Sequence, residues 1–265
     1  MRRKVRRAKD AARRLVYAKE RRHVAVRRHL AGRYLRGDGL EVGALHLPLG
    51  LPRGARARYV DRMGVEDLRA HYPELDEYDL VTPDFIDDGE QLASVPTGSM
   101  DFVVVNHLIE HTQDPIGALQ AQARVLREGG VLYLAAPDRR RTKFDRNRPE
   151  TPLEHLLRDH EEGPEWSRSQ HYEEWSRLAI EVPAEEVAAH AVRLEAEDYS
   201  IHFHTFTLNS FLALLLRSRE AYGLPLEVVA TETNNHEFIV IARRSGDGPA
   251  QQAPAVAAAP ALAAS

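Results

Sequence analysis

The feature that most constrains the fold is a pair of buried strands joined by one helix. Residues 99–107 (SMDFVVVNH) form a continuous, β-branched apolar run, and residues 131–138 (VLYLAAPD) form a second one. Uninterrupted apolar strands are typical of a parallel sheet that is covered on both faces. Between them, residues 114–130 carry apolar side chains at helical spacing, with an Asp-Pro start and a Gly-Gly stop. The order strand, helix, strand therefore predicts an α/β fold.

Further elements extend this pattern in both directions. An amphipathic helix is expected over residues 207–223. The two strands after it, residues 226–234 and 236–244, are too close in sequence for a crossover helix, so we expect an antiparallel hairpin between them. Upstream, strands are expected at residues 40–44, 55–63 and 79–85.

Composition excludes several classes of protein. The chain has 265 residues and no cysteine, which excludes disulfides, thiolate nucleophiles, cysteine-ligated zinc and iron–sulfur clusters. Its longest apolar stretch, FLALLL at residues 211–216, is far too short to span a bilayer, and the N-terminus lacks the apolar core of a secretory signal. We therefore expect a soluble, cytoplasmic protein.

The formal net charge of −4 conceals a strong asymmetry. Residues 1–36 hold 15 Lys or Arg against 2 Asp or Glu, whereas the rest of the chain holds 21 against 38. Such an arm suits contact with RNA, anionic lipid or an anionic substrate. Basic arms without interleaved aromatic residues carry little recognition information, however. We favour a helix that docks on the acidic remainder of the chain or joins two subunits of a homo-oligomer.

Acidic residues stand where two of the predicted parallel strands end. Ligands of open parallel sheets bind outside the carboxyl ends of the strands, where the strand order reverses. Asp61 closes the second strand, where a carboxylate can accept both hydroxyls of a ribose, and Asp88 follows the third, where one can accept an adenine amine.

One long stretch resembles a known family. The strings DDGEQL (87–92) and PTGSMDFVVVNHLIEHTQDPIGALQAQARVLREGGVLYLAAPD (96–138) look like the second half of a class I S-adenosylmethionine-dependent methyltransferase domain. The resemblance covers residues 38–138, and the helix and hairpin of residues 207–244 fit the end of that domain. It implies a doubly wound, mostly parallel seven-stranded sheet of order 3-2-1-4-5-7-6 with the last strand antiparallel, an inserted helical lid, and S-adenosylmethionine as cofactor.

The resemblance also implies a division of the chain. Residues 37–138 would form the cofactor-binding half and residues 206–244 the C-terminal helix and hairpin of the same domain. Residues 139–205, which interrupt the strand and helix rhythm, would form the lid. A basic helical arm (1–36) and a low-complexity, disordered tail (245–265) lie outside this domain.

Carried over position by position, the family pattern assigns a cofactor site. The family's glycine-rich loop has the pattern E-x-G-x-G-x-G, whereas this chain has EVGALHL at residues 41–47, with Leu45 and Leu47 in place of the second and third glycines. The loop therefore differs in shape, and a histidine within it could replace lost amide contacts, reach the substrate or simply lie on the surface. The predicted cofactor residues are Glu41, Gly43, Ala44, His46, Asp61, Arg62, Asp88, Gly89, Asn106 and His107.

The segment HLIEH at residues 107–111 matches the H-x-x-E-H pattern of inverted-motif zinc peptidases. Such a metal site needs His107 and His111 on one face of a helix. His107 instead follows a buried strand directly, and the next helix is expected to begin near Asp114. We therefore predict a loop and no metal site.

Methyl transfer to a hydroxyl is helped by a general base, and histidine has a suitable pKa. The resemblance places His111 facing the methyl group. His202 and His204 alternate in SIHFHTF, so in an extended segment they would share one face. His155 and His171 lie in the lid. The predicted catalytic residues are His111, His202 and His204.

The acceptor is expected to be a polar small molecule, because the lid segment RRRTKFDRNRPETPLEHLLRDH is rich in charge and poor in aromatic residues. Sugars, glycans and natural-product intermediates, methylated on oxygen or nitrogen, fit this description. Two alternatives remain open at the level of sequence. One is a noncatalytic binding module whose arm contacts RNA or a membrane, and the other is a nicotinamide-dependent oxidoreductase.

Overall fold

The computed structural model describes residues 23–246. Residues 1–22 of the predicted arm and residues 247–265 of the predicted tail lie outside the described part. One seven-stranded sheet organises the chain, with the strand order β3-β2-β1-β4-β5-β7-β6. Its strands are β1 (Gly37–Val42), β2 (Ala55–Asp61), β3 (Phe85–Ile86), β4 (Met100–Asn106), β5 (Leu126–Pro137), β6 (Leu226–Asn234) and β7 (Glu237–Arg244).

The direction of the strands confirms the predicted fold class. Strands β1 to β5 pair in parallel, whereas β7 runs antiparallel to both of its neighbours, β5 and β6. Val42 pairs with Val60 and with Val105, so the carboxyl ends of the three central strands meet at one edge. The strand order reverses between β1 and β4, which places a ligand cleft at that edge.

Helices cover both faces of the sheet. The first described helix, α1, covers residues 23–34, and Leu30, Ala31 and Leu35 pack on Phe102 and Tyr133 of the sheet. Helices α3 and α7 cover the opposite face through a large apolar cluster. The remaining bounds are α2 (Val65–His71), α3 (Pro115–Val125), α4 (Leu153–Glu162), α5 (Glu165–Glu174), α6 (Val187–Ala196) and α7 (Leu208–Tyr222).

The inserted region is helical, as expected, and has a small core of its own. A π-helical turn, Trp175–Ala179, follows α5 directly. The side chains of this core come from α5, the turn, α6 and the segment that leads back to the sheet, and they are Tyr172, Trp175, Ala191, Leu194, Ile201 and Phe203. Helix α4 differs, because its Leu156 belongs to the main core beneath α3 and α7.

Two expected elements have different bounds in the structure. The third strand, predicted over residues 79–85, is only Phe85–Ile86. The helix predicted to reach Gly129 ends at Val125, because Leu126 is extended and already pairs with Met100 in the sheet. The hairpin is confirmed, with Asn235 in a left-handed conformation (φ 59°) between β6 and β7. Within residues 23–246, no helix has both the length and the apolar character that a bilayer crossing demands.

Candidate active site

A cleft opens where the carboxyl ends of β1, β2 and β4 meet. It consists of adjoining cavities of about 140, 290, 370 and 440 Å³ that share several lining residues. Gly43 lines the first three of these, and His111 lines the two smaller ones and the largest. Every predicted cofactor residue lines at least one cavity of this cleft.

The two predicted acids flank the smallest cavity. Asp61 ends β2, where its Oδ1 accepts a hydrogen bond from the backbone N–H of Arg62 at 2.8 Å, and burial raises the pKa of its carboxyl. Asp88 folds back on the chain, and its Oδ1 accepts from the backbone N–H of Glu90 at 2.8 Å. Between them the wall is tight, since a Cβ on Gly89 would lie 3.1 Å from Val42. Asp61 and Asp88 therefore both line this narrow cavity.

The loop after β1 departs from the family sequence but keeps a glycine-like backbone. Gly43 has φ of 66° and Leu45 has φ of 48°, the left-handed region that favours glycine. Glu41 supports the loop from beneath, because its buried carboxylate accepts from the backbone N–H of Leu49 at 2.8 and 3.1 Å. Burial raises the pKa of Glu41 to about 7. His46 stacks on Tyr78 with the ring centroids 4.1 Å apart.

The end of β4 carries a fixed positive charge. His107 has φ of 52°, and its Nε2 lies 2.7 Å from Glu237 while its Nδ1 lies 3.5 Å from Glu110. Burial alone would lower the pKa of His107, but hydrogen bonds to Glu110 and Glu237 raise it to about 9. The imidazole is therefore protonated at neutral pH and cannot accept a proton there.

Glu237 was not anticipated from the sequence. Glu237 also accepts a hydrogen bond from Arg27 of α1 at 2.5 Å. Burial alone would raise the pKa of Glu237, but the positive charges of His107 and Arg27 lower it to about 2. His107 lies 130 residues away in the chain, so no local pattern links the two residues. The one available signal is an acidic residue at the start of the otherwise apolar run FIVIA.

His111 is a neutral imidazole that is held through one of its two ring nitrogens. It ends a single 3₁₀ turn, Ile109–His111, and its Nδ1 lies 2.8 Å from the carbonyl oxygen of Ile201. A carbonyl oxygen only accepts hydrogen bonds, so Nδ1 carries the proton and Nε2 keeps a lone pair. Burial, reinforced by the neighbouring His202, lowers the pKa of His111 to about 4. The ring is therefore neutral at physiological pH.

The HLIEH segment is a loop in the structure, as predicted. His107 is bonded to Glu237 and His111 to the backbone of Ile201, so the two imidazoles have different partners. A pair of zinc ligands on one helical face would require both rings to converge on one point.

The other two predicted catalytic histidines have different surroundings. His202 bonds to Asp145 at 2.9 Å and stands edge-on to the ring of His111 at 4.7 Å, so it lies behind the candidate base. His204 is only 1 % exposed, and its ring lies against His155 and His171. A base must reach the acceptor, so the structure contradicts the prediction for His204.

Comparison with known proteins identifies the family. A family model described as a methyltransferase domain matches residues 47–215 of the chain. The chain belongs to this methyltransferase family. Its cofactor is S-adenosylmethionine, and the alternatives of a nicotinamide-dependent oxidoreductase and a noncatalytic module are set aside.

Individual proteins resemble this methyltransferase only over a short segment or at low sequence identity. The ubiquinone biosynthesis O-methyltransferase of Xanthomonas oryzae pv. oryzae is 40% identical over 55 residues, which is 21% of this chain and 23% of the relative. Among solved structures, a SAM-dependent methyltransferase from Aquifex aeolicus has 12% identity and a TM-score of 0.42, with 82% of this chain and 86% of that chain covered. One from Methanosarcina mazei has 16% identity and a TM-score of 0.44, with 80% and 95% covered.

The residues of the methyltransferase cleft fit its cofactor. The side-chain amide of Asn106 is buried beside the carboxylate of Glu41, whose pKa it lowers, and lines the 370 Å³ cavity. An amide offers both a donor and an acceptor, so Asn106 can bind a ligand in this cavity as well as Glu41. Together with Asp61, Asp88 and the close backbone at Gly43, it offers partners for an adenosine and an amino-acid group.

Arg62 connects the methyltransferase core with the lid. Its Nη2 lies 2.8 Å from Nε2 of His71, and its Nη1 lies 3.5 Å from Asp198. Arg168 of α5 reaches the same carboxylate of Asp198 at 2.7 Å. Core and lid therefore meet through charged groups at the rim of the cleft.

Proposed function

We propose that this methyltransferase methylates a hydroxyl oxygen of a polar small molecule, such as a sugar, a glycan or a natural-product intermediate, with His111 as general base. The observation that carries the proposal is the tautomer of His111. Its Nδ1–H is held by the carbonyl of Ile201, which leaves the Nε2 lone pair on a ring that lines three cavities of the cleft. The name of the Xanthomonas relative, an O-methyltransferase, supports oxygen rather than nitrogen as the acceptor atom.

Each part of the cleft has a role in this proposal. Asp61 would hold the ribose, Asp88 and Gly89 the adenine, and Gly43 and Asn106 the methionine portion. The cofactor supplies the electrophilic methyl group. The protein orients the acceptor, excludes water and removes the acceptor proton.

The largest cavity supports a polar acceptor. Its walls include the side chains of Arg62, Asp87, Glu90, Gln113 and Asp198. A binding surface of this kind offers hydrogen bonds to several hydroxyl groups, and the rings of Tyr172 and Phe203 add an apolar wall against which a sugar ring can pack.

The test separates cofactor binding from catalysis. Isothermal titration calorimetry should show S-adenosylmethionine binding that Asp61→Ala weakens by at least about tenfold, because a ribose hydrogen-bond acceptor is lost. A screen of polyhydroxylated acceptors for S-adenosylhomocysteine release then provides the substrate. With that substrate, His111→Gln should lower kcat roughly 10²- to 10⁴-fold with cofactor affinity unchanged.

The exposed His29 provides a matched control, because His29→Gln replaces a histidine on α1 that lines none of the four cavities of the cleft and should leave kcat unchanged. Full activity of His111→Gln would remove the general base from the proposal. Binding of S-adenosylmethionine that is insensitive to Asp61→Ala would overturn the placement of the cofactor.

A further inference from the structure

Four potential metal ligands converge within the inserted region, outside the cleft described above. His155 and Asp159 lie one turn apart on α4, His171 lies on α5, and His204 lies on the segment that returns from the lid. One ligand atom of each residue lies within 4.8 Å of all the others. Neither the family resemblance nor the sequence pattern pointed to this group.

Three of the six distances within the group are close to those between the ligand atoms of a tetrahedral metal ion, and the other three are below 4.8 Å. Nε2 of His155 lies 3.0 Å from Nε2 of His171 and 3.3 Å from Oδ2 of Asp159. Nε2 of His204 lies 3.5 Å from the same Oδ2. Ligand atoms bound tetrahedrally to zinc at about 2.0–2.1 Å are roughly 3.3 Å apart, so an ion fits between these atoms with little movement of the side chains.

The burial of Asp159 and His204 is a second, independent observation that indicates a bound cation. Asp159 and His204 are each 1 % exposed. Oδ1 of Asp159 accepts from Ser167 Oγ at 3.0 Å, whereas Oδ2, which faces the histidines, accepts no hydrogen bond from any described residue. A buried carboxylate oxygen that accepts no hydrogen bond is unfavourable, and a cation bound to it removes this cost.

We propose that His155, Asp159, His171 and His204 bind one Zn²⁺ ion. Three imidazole nitrogens and one carboxylate oxygen fill a tetrahedral shell, so no position is left for water or substrate, and the site is structural rather than catalytic. When the ion binds, His204 exchanges a 3.3 Å contact with the carbonyl of Gln113 for the metal.

The site would fix the lid above the acceptor cavity. His171 and His204 directly adjoin Tyr172 and Phe203, and both of these neighbours line the largest cavity of the cleft. An ion that links α5 and the returning segment to α4 therefore fixes the positions of Tyr172 and Phe203 in the cavity wall. The expected effect is an ordered lid and a more stable chain when zinc is present.

Metal analysis of the full chain, without an affinity tag, tests the proposal. Protein purified in chelator-free buffer should retain about one Zn²⁺ per chain, and dialysis against a strong chelator should lower its Tm, which added ZnCl₂ should restore. Asp159→Asn keeps the shape of the side chain and the contact with Ser167, yet should weaken zinc binding more than roughly 100-fold. His171→Ala should do the same.

His160→Ala is the matched control, because His160 lies on the same helix but pairs with Asp114 at 2.8 Å and is not one of the four ligands. It should retain zinc. If a ligand variant fails to fold, Co²⁺ added to the metal-free parent chain should give the intense visible absorption of a tetrahedral complex. A folded parent chain that retains no zinc and shows no zinc-dependent change in Tm would overturn the proposal.

A further variant distinguishes the proposed site from a second group of residues that could bind the ion. Glu110, His111 and His202 form another group that could hold a metal. Loss of zinc from His202→Ala, with zinc retained by Asp159→Asn, would place the ion there and refute the assignment made here.

Discussion

Leu45 holds the cofactor loop in a backbone conformation that L-amino acids adopt at a cost of roughly 1–2 kcal/mol. Asparagine tolerates the left-handed region, whereas a β-branched residue there is a true outlier. We expect Leu45→Val to have a free energy of unfolding about 1 kcal/mol lower than Leu45→Asn. Urea denaturation of both variants measures the difference.

Packing alone predicts the reverse order for these two variants. Leu45 lines a cavity together with Leu68 and Tyr72, and valine would preserve more of that apolar contact than asparagine. A valine variant as stable as the asparagine variant would show that backbone strain is not what distinguishes this position.

His107 gives the stability of the protein a pH dependence. Its pKa is about 9 in the folded chain against an ordinary value of 6.5, so the folded state binds its proton more tightly. This contribution is fully present below pH 6.5 and is lost as the pH rises through about 9. For a side chain that is 31% exposed, we expect a loss on the order of 1–2 kcal/mol.

Chemical denaturation of the parent chain and of His107→Gln between pH 6.5 and 9.5 measures this effect. The variant has no group that titrates at this position, so its stability should change less across the range. His29→Gln, which alters an exposed histidine, should follow the parent. Parallel curves for His107→Gln and the parent would contradict the role of the imidazolium.

The positions of single residues in the cleft were predictable where the residues directly follow a parallel strand. Asp61 and Asp88 follow strand ends, and the ends of parallel strands lie at one edge, so both reach the cleft. The exclusion of His204 was not predictable, because it depends on where α4 and α5 pack. Glu237 likewise needs the register of β7 against β5, which brings it beside Pro137 at the cleft edge.

Among the elements, those with strong local signals were predicted best. Helix α7 begins with a capping box between Thr207 and Ser210 and ends at Gly223 in the left-handed conformation, so both of its ends are encoded locally. Strand β3 is different. The backbone N–H of Val81 donates to the carbonyl of Leu45 in the loop after β1, and the segment meets β2 at Asp84, whose N–H donates to the carbonyl of Tyr59.

Arg148 ties the segment after β5 to the lid. The side chain is 1 % exposed and bonds to Glu174 at 2.8 Å, to Asp145 at 3.2 Å and to the carbonyl of Phe203 at 3.2 Å. Arg148→Met keeps much of the volume but leaves the buried Asp145 without this cation. We expect the free energy of unfolding to fall by about 3–5 kcal/mol, measured by urea denaturation.

The neighbouring Arg146 is exposed and serves as the control, since Arg146→Met removes the same charge at the surface and should change stability by less than about 0.5 kcal/mol. Equal stabilities of the two variants would mean that the network around Arg148 does not hold the lid in place.

For the whole molecule, the resemblance predicted the sheet order correctly, because the order is common to the fold and the strands carry their own apolar signal. The contacts between lid and core were beyond prediction. The four residues of the proposed zinc site span from His155 to His204, and only α4 places two of them at a recognisable spacing. The described part of the arm lies on the sheet, where Arg27 pairs with Glu237, and the role of the basic residues before position 23 stays a prediction.

The docking of α1 on the sheet makes a prediction about the whole chain. Leu35 is completely buried against the sheet face that α1 covers, so Leu35→Ala should lower the free energy of unfolding by about 2–5 kcal/mol. Val24→Ala, on the exposed side of α1, which ends just before Leu35, should change it by less than about 0.5 kcal/mol. Sedimentation with anionic vesicles and with RNA, measured beside urea denaturation, separates docking from partner binding. If the described helix serves the fold, Leu35→Ala loses stability while both retentions stay at the level of the parent chain. Unchanged stability together with reduced retention would instead assign α1 to a membrane or nucleic-acid partner.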